Sequence, residues 1–238
     1  MKSLKELYRV GKGPSSSHTM GPQRAAKLFL ERCPNASYYE VTLYGSLAAT
    51  GKGHMTDVAI EEVLRPHKTV NIIWQPQTFL PYHPNGMKFV GKDLNGDIID
   101  EWTVYSIGGG AISDGTAGNQ ELGATDVYDL NKLADIKQWC YDNGRSFWEY
   151  VEKCESEDIW DYLDMVWQTM KQSIRNGLDH EGVLPGPLKL QRKAATYYIK
   201  AKGYRASLQS RGLVYAYALA VSEENASGGT IVTAPTCG

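Results

Sequence analysis

Two hydrophobic periodicities divide the chain, and this division is the strongest constraint on its fold. In the front half, Tyr39, Val41 and Leu43 alternate with residues that face the other way, which is the period of a half-buried strand. After residue 131, apolar residues recur at the spacing of an amphipathic helix. The clearest series is Ile159, Tyr162, Leu163, Val166, Met170 and Ile174. The sequence therefore predicts an α+β front domain over residues 1–155, followed by an all-α domain over residues 156–238.

Local signals predict where the elements begin and end. Asn95-Gly96 separates two apolar runs, and both residues tolerate positive φ, so a hairpin is expected there. Gly21-Pro22 favours a helix start and Asn176-Gly177 a helix end. The domain boundary is expected within residues 118–157, which carry two short helical patterns. Predicted strands cover 39–44, 69–74 and 98–105, and predicted helices cover 21–34, 55–64, 131–141, 146–154, 189–202 and 206–222.

Composition excludes several classes of function. The chain has 238 residues, 42% of them hydrophobic, with a formal net charge of −2. A pI near 6.2 provides no general field for nucleic acid or anionic membranes. No apolar stretch approaches the ~20 residues of a membrane span, and the N-terminus has no signal-peptide pattern. A cytoplasmic protein that binds neither nucleic acid nor membrane is expected.

The cysteines do not form a recognisable metal motif. Cys33, Cys140, Cys154 and Cys237 lie far apart, without the paired spacing of a zinc or cluster site. Reduced, buried thiols are expected at the first three positions. The chain stops on Cys237-Gly238 without a polar tail, and truncation is the interpretation that we favour for this ending.

A first candidate site lies at residues 11–22, which have the sequence GKGPSSSHTMGP. Three serines and His18 precede a predicted helix start, where free backbone N–H groups and hydroxyls suit a carboxylate. His18 can donate or accept a proton near neutral pH. The pattern alone is equally typical of an N-cap serine beside a surface histidine.

A second candidate site lies at residues 44–57, with the sequence YGSLAATGKGHMTD. It follows a predicted strand, its glycines let the backbone approach a ligand, and Lys52 and His54 add a cation and a titratable base. A glycine turn with a surface histidine remains open. A nucleotide-phosphate loop is disfavoured because the spacing matches neither Walker A nor GxGxxG.

Two further segments are glycine-rich. Residues 105–112, YSIGGGAI, are weak evidence alone because glycines also mark a strand exit. Residues 223–236, EENASGGTIVTAPT, combine a predicted helix end at Asn225, a Gly228-Gly229 turn and a short β-type run. Uncharged hydroxyl and amide groups cluster in this last segment.

These segments, together with NGLDHEGVLPGPLKLQRKA at 176–194, occur in one order across nearly the whole chain. In that order they resemble the iron–sulfur L-serine dehydratases. The resemblance implies a front beta-type domain, the N-terminal part of an alpha-type catalytic domain, and elimination of water and ammonia from L-serine to give pyruvate. It also implies a [4Fe–4S] cluster that acts as a Lewis acid in the full-length protein.

The resemblance implies cluster cysteines mostly or wholly beyond residue 238, so no metal ligand is assigned here. His54 is our choice for the base, with His18 as support, although the sequence allows the reverse. The predicted substrate-binding residues are Ser16, Ser17, Lys52, Asn225 and Thr236. A homodimer is possible.

The sequence leaves two other functions to consider. A non-catalytic amino-acid-binding or regulatory subunit would also explain the missing cluster ligands. A pyridoxal-phosphate lyase would need a Schiff-base lysine in a glycine-rich phosphate setting. No lysine here has that setting, so pyridoxal phosphate is not expected.

Overall fold

A five-stranded sheet organises the front half of the molecule. The computed structural model describes residues 1–116, 122–123 and 126–234. The chain begins with α1 (Leu4–Leu7), β1 (Arg9–Lys12), a π-helical turn (Ser16–Met20), α2 (Gly21–Arg32), β2 (Tyr38–Tyr44), α3 (Gly45–Thr50) and α4 (Thr56–Leu64). It continues with β3 (Thr69–Gln75), β4 (Gly86–Lys92), β5 (Ile98–Gly108) and β6 (Ala111–Ser113). The strand order is β3-β2-β4-β5-β6.

The front sheet is mixed, and its core agrees with the alternation seen in the sequence. β2 pairs parallel with β3, and α3 and α4 form the crossover between them. The other neighbouring pairs are antiparallel. Tyr39, Val41 and Leu43 are fully buried, and the Phe29 ring of α2 lies 5.4 Å from the Phe89 ring of β4, between centroids. The predicted hairpin is confirmed: Gly96 has a φ of 92° in the turn between β4 and β5.

Helices dominate the rest of the described chain. They are α5 (Leu133–Asn143), α6 (Phe147–Cys154), α7 (Ile159–Asp179), α8 (Ala194–Lys202) and α9 (Ala206–Ala226). Ser146 and Glu149 form a reciprocal capping box at the start of α6. The predicted fold class, an α+β front followed by a helical part, is confirmed. No helix among the described residues combines the length and apolar character needed to cross a membrane.

The helix end predicted at Asn176-Gly177 is wrong, because α7 continues to Asp179. A Cβ on Gly177 would lie 2.1 Å from the Ala220 carbonyl oxygen of α9. Gly177 therefore serves close packing of two helices rather than termination of one. The predicted helix over 189–202 also begins later, at Ala194.

A two-stranded ribbon connects the two ends of the described chain. Strand β7 (Thr230–Thr233) pairs antiparallel with β1, with Arg9 opposite Thr233 and Lys12 opposite Thr230. The β-type run at the end of the chain was predicted, but its partner was not. The ribbon places the serine-rich turn that follows β1 beside the end of α9.

Candidate active site

The serine-rich segment forms a π-helical turn that leads directly into α2. Ser15 is its N-cap, and its hydroxyl accepts a hydrogen bond from the His18 backbone N–H at 3.1 Å. The predicted N-cap serine is therefore present. The histidine next to it is half-buried, and Thr19 and Met20 are buried. The turn thus directs His18 toward the protein rather than toward solvent.

Hydroxyl groups contact both ring nitrogens of His18. The Ser17 hydroxyl lies 2.9 Å from Nδ1, and the Ser46 hydroxyl lies 3.1 Å from Nε2. A hydroxyl can donate or accept, so this arrangement suits either neutral tautomer of the ring. His18 is held in one orientation by two neighbours from different elements, the π-helical turn and α3.

His54 lies on the loop between α3 and α4, and its Nδ1 is 3.0 Å from the Thr50 carbonyl oxygen. A carbonyl oxygen only accepts hydrogen bonds, so Nδ1 carries the proton. In the neutral ring Nε2 then has the free lone pair that a base needs. Met55, the next residue, has a φ of 55° in the left-handed region that side chains seldom adopt. Such backbone strain is typical of functional sites.

The two predicted histidines come together. The ring centroids of His18 and His54 are 4.8 Å apart, with an angle of 40° between the ring planes. The pKa of His18 is lowered, first because burial disfavours its charged form and second because a charge on His54 would repel it. A hydrogen bond with the backbone of Ser46 partly opposes this lowering of the pKa. Both causes favour the neutral form of His18 beside the His54 ring.

The lowered pKa of His18 predicts a loss of stability in acid. The unfolded chain takes up a proton near the ordinary pKa of 6.5, while folded His18 takes it up only at lower pH. The His18 contribution is therefore fully present above this range and is lost as the pH falls below about 6.5. Urea unfolding should show the parent losing more stability than His18→Gln between about pH 7.5 and 5. Parallel losses in the two proteins would contradict this.

Asn225, near the end of α9, contacts the serine-rich turn. Its side-chain amide donates to the Pro14 carbonyl oxygen at 3.1 Å, and α9 ends one residue later, at Ala226. Asn225, where the sequence predicted a helix end, thus lies in the last turn of α9, and its side chain contacts the serine-rich turn. Close approach requires Gly13, where a Cβ would lie 2.0 Å from the Asn225 carbonyl oxygen.

A cavity of about 500 Å³ lies between the serine-rich turn and α9. Ser16, Ser17 and Asn225 all line it, together with apolar groups such as Val221. Further polar residues, Lys12, Ser15 and Thr233 among them, also line the recess, so it offers several hydrogen-bonding groups that can orient a small ligand. Three of the five predicted substrate-binding residues thus share one cavity.

Lys52 does not line this cavity. Lys52 is exposed, and its ammonium lies 5.6 Å from the centroid of the Trp74 ring. Thr236 lies outside the described residues, as does Cys237. The substrate-binding roles of Lys52 and Thr236 stay predictions.

The sequence-based set missed three hydroxyl residues: Ser46, Thr19 and Thr56. Each lies within the same motif as a predicted histidine, so closeness to a histidine in the sequence could have identified these residues as candidates. Only the packing of the two loops shows which hydroxyl meets which atom. The third motif forms the turn between β5 and β6, where Gly108, Gly109 and Gly110 have positive φ, in agreement with a strand exit.

The described cysteines do not fit an iron–sulfur cluster. Cys33 lies in the hydrophobic core of the front sheet and Cys140 packs near Tyr150 of α6, and both are buried as expected. Cys154 also packs near Tyr150 but is only half-buried, so the expectation of a buried thiol is wrong there. Within residues 1–116, 122–123 and 126–234, no three His, Cys, Asp or Glu side chains are grouped to hold a metal ion. The described donors therefore supply no thiolate set of the kind that a [4Fe–4S] cluster requires.

The geometry above pairs two histidine rings, and Ser17 connects this pair to the recess because it contacts the His18 ring and also lines the recess. Comparison with known proteins adds the family. The profile of the serine dehydratase beta chain matches residues 3–67, and that of the serine dehydratase alpha chain matches residues 44–238. The chain belongs to the serine dehydratase alpha chain family. The division at residue 155 stays a prediction.

Individual relatives agree with the family. An L-serine dehydratase of Haemophilus influenzae is 34% identical, with 100% of this chain and 64% of the relative covered. L-serine dehydratase 1 of Escherichia coli is 34% identical, with 100% and 63% covered. An L-serine dehydratase of Streptomyces coelicolor is 31% identical, with 99% and 63% covered. The chain thus spans slightly less than two thirds of the length of these relatives.

Proposed function

We propose that this chain carries the proton-handling and substrate-binding groups of an L-serine dehydratase, a lyase that converts L-serine to pyruvate and ammonia. The observation that supports this most directly is the paired arrangement of His18 and His54. The similarity to relatives named L-serine dehydratase extends over the whole chain, and so over every motif that forms the site. We also propose a cytoplasmic location, and a homodimer stays possible.

His54 acts as the base. Its Nδ1 proton is fixed on the Thr50 carbonyl oxygen, so Nε2 takes the α-proton of L-serine. The β-hydroxyl leaves as hydroxide, which takes up the abstracted proton to become water, and the remaining aminoacrylate tautomerises to an imine. Addition of water to the imine releases ammonia and pyruvate, so one water is lost and one is consumed. His18 remains neutral and avoids placing a second positive charge beside the proton received by His54.

Hydroxyl and amide groups of the recess supply the first of the proposed substrate contacts. The Ser16 and Ser17 hydroxyls and the Asn225 amide line one cavity, from which hydrogen bonds can reach a carboxylate or an amino group. Lys52 and Thr236 are proposed as further substrate contacts. The resemblance to iron–sulfur dehydratases suggests a [4Fe–4S] cluster as a Lewis acid for the leaving hydroxide, with ligands other than the described residues. Pyridoxal phosphate is not part of the proposal.

Two measurements test the proposed function on the protein produced anaerobically from its gene. Pyruvate formation from L-serine reports the full reaction. Exchange of α-deuterium from labelled L-serine into water reports proton abstraction alone. We expect both. Binding of L-serine with neither pyruvate formation nor α-exchange would reject the proposal and favour the regulatory subunit.

A further inference from the structure

Two buried threonines connect the loops that carry the histidines. The Thr19 hydroxyl donates to the His54 carbonyl oxygen at 2.6 Å, and the Thr56 hydroxyl donates to the His18 carbonyl oxygen at 2.5 Å. Thr19 is 3% exposed and Thr56 is fully buried. Each threonine lies within two residues of one histidine and binds the backbone of the other. The two hydrogen bonds are therefore reciprocal.

The local backbone explains why these carbonyl groups accept from side chains. Continuation of a regular helix would require the residue four positions after His18 to donate to its carbonyl oxygen. That residue is Pro22, which has no N–H. The corresponding residue after His54 is Val58, whose N–H donates to the Asp57 carboxylate at 3.0 Å. The threonine hydroxyls are the donors that replace these backbone partners.

We infer that Thr19 and Thr56 are positioning residues that fix the two loops relative to each other and so keep the His18 and His54 rings paired. The inference rests on the proposed function for its catalytic meaning, but the pairing itself is a structural property. Two crossed hydrogen bonds restrain both sliding and separation of the loops, which one bond would not do. The Ser46 hydroxyl adds a third contact, from α3 to the ring of His18.

The pairing matters because small displacements of catalytic groups have large kinetic effects. A shift of about 1 Å can cost on the order of 100-fold in rate. Loss of one threonine hydroxyl would also leave a backbone carbonyl without its donor, which favours movement of the loop toward water. Both threonines should therefore affect the rate of proton transfer without contacting the substrate.

The test uses four variants and a matched control. Thr19→Val and Thr56→Val remove the hydroxyl and keep the branched shape, whereas Thr19→Ser and Thr56→Ser keep the hydroxyl. Thr42→Val is the control, because Thr42 is also buried but lies in strand β2 of the front sheet. Urea unfolding of each variant shows whether it is folded before any other measurement.

NMR of the histidine rings gives a readout that does not require turnover. We expect the valine variants to lose the ring-to-ring nuclear Overhauser effect between His18 and His54, and the pKa of His18 to rise toward its ordinary value. The exchange of the α-proton should fall by about 10- to 100-fold with a smaller change in KM. The serine variants and the control should resemble the parent.

The outcomes separate this inference from the proposed function. Folded valine variants that keep the ring-to-ring effect would overturn the inference, and so would serine variants that fail to rescue it. If the valine variants do not fold, the serine variants provide the test. They must keep both the nuclear Overhauser effect between the two rings and the α-proton exchange, and loss of either would overturn the inference. The protein could also prove inert toward L-serine while the pairing of the rings still depends on the threonines. That result would support the inference and reject the proposed function.

Discussion

Replacement of His54 by alanine should nearly abolish the exchange of the α-proton of L-serine. A positioned general base contributes about 10²- to 10⁴-fold to a rate, and a loss in this range is expected for both exchange and pyruvate formation. The physical reason is the free Nε2 of His54, set by the hydrogen bond between Nδ1 and the Thr50 carbonyl oxygen. Exchange of deuterium from α-labelled L-serine into water is the measurement.

His18→Ala and His67→Ala are the comparison variants. His67 is exposed just after α4, outside the candidate site, and its replacement should leave exchange unchanged. His18→Ala should slow exchange less than His54→Ala, because in the proposed function His54 accepts the proton and His18 supports it. Parental exchange in His54→Ala together with a loss in His18→Ala would reverse the two assignments.

Gly177→Ala should be strongly destabilising, although alanine is the better helix former. In an exposed helix interior this change stabilises by about 1 kcal/mol. Here the new Cβ would lie 2.1 Å from the Ala220 carbonyl oxygen, so α7 and α9 must separate. Overpacking of this kind costs about 1–3 kcal/mol or more. Urea titration should therefore show that the free energy of unfolding falls by about 1–3 kcal/mol or more.

Gly203→Ala is the matched control for this prediction. Gly203 ends α8 with a φ of −85°, and its nearest contact for a new Cβ is the Lys200 carbonyl oxygen at 3.5 Å. Its replacement should change the free energy of unfolding by no more than about 0.5 kcal/mol. Equal effects at the two glycines would show that helix propensity, and not the approach of α7 to α9, determines the result.

The sequence predicted features that depend on neighbours along the chain. Alternation at Tyr39, Val41 and Leu43 reported a real burial pattern, and Asn95-Gly96 identified a real hairpin. Both histidines were singled out because each lies in a glycine- or serine-rich loop. No local pattern predicted that the two rings meet, because 36 positions in sequence separate His18 from His54.

Features that depend on distant contacts were missed or misassigned. Gly177 follows an asparagine near a helix end, which is the local signal for termination, and only the approach of α9 shows its packing role. The partner of the last strand is β1, more than 200 positions away, and no local pattern encodes this pairing. The threonine contacts likewise depend on how two loops pack.

The pairing of β1 with β7 has a consequence for the order of events during synthesis. The front sheet contains only residues up to Ser113, so its strands can pair while the helical part is still on the ribosome. The ribbon cannot close until residues 230–233 have emerged, and closure of so long a loop is slow. The contact between the serine-rich turn and the end of α9 therefore forms only after residues 230–233 are made, and the recess is completed later than the front sheet can pair.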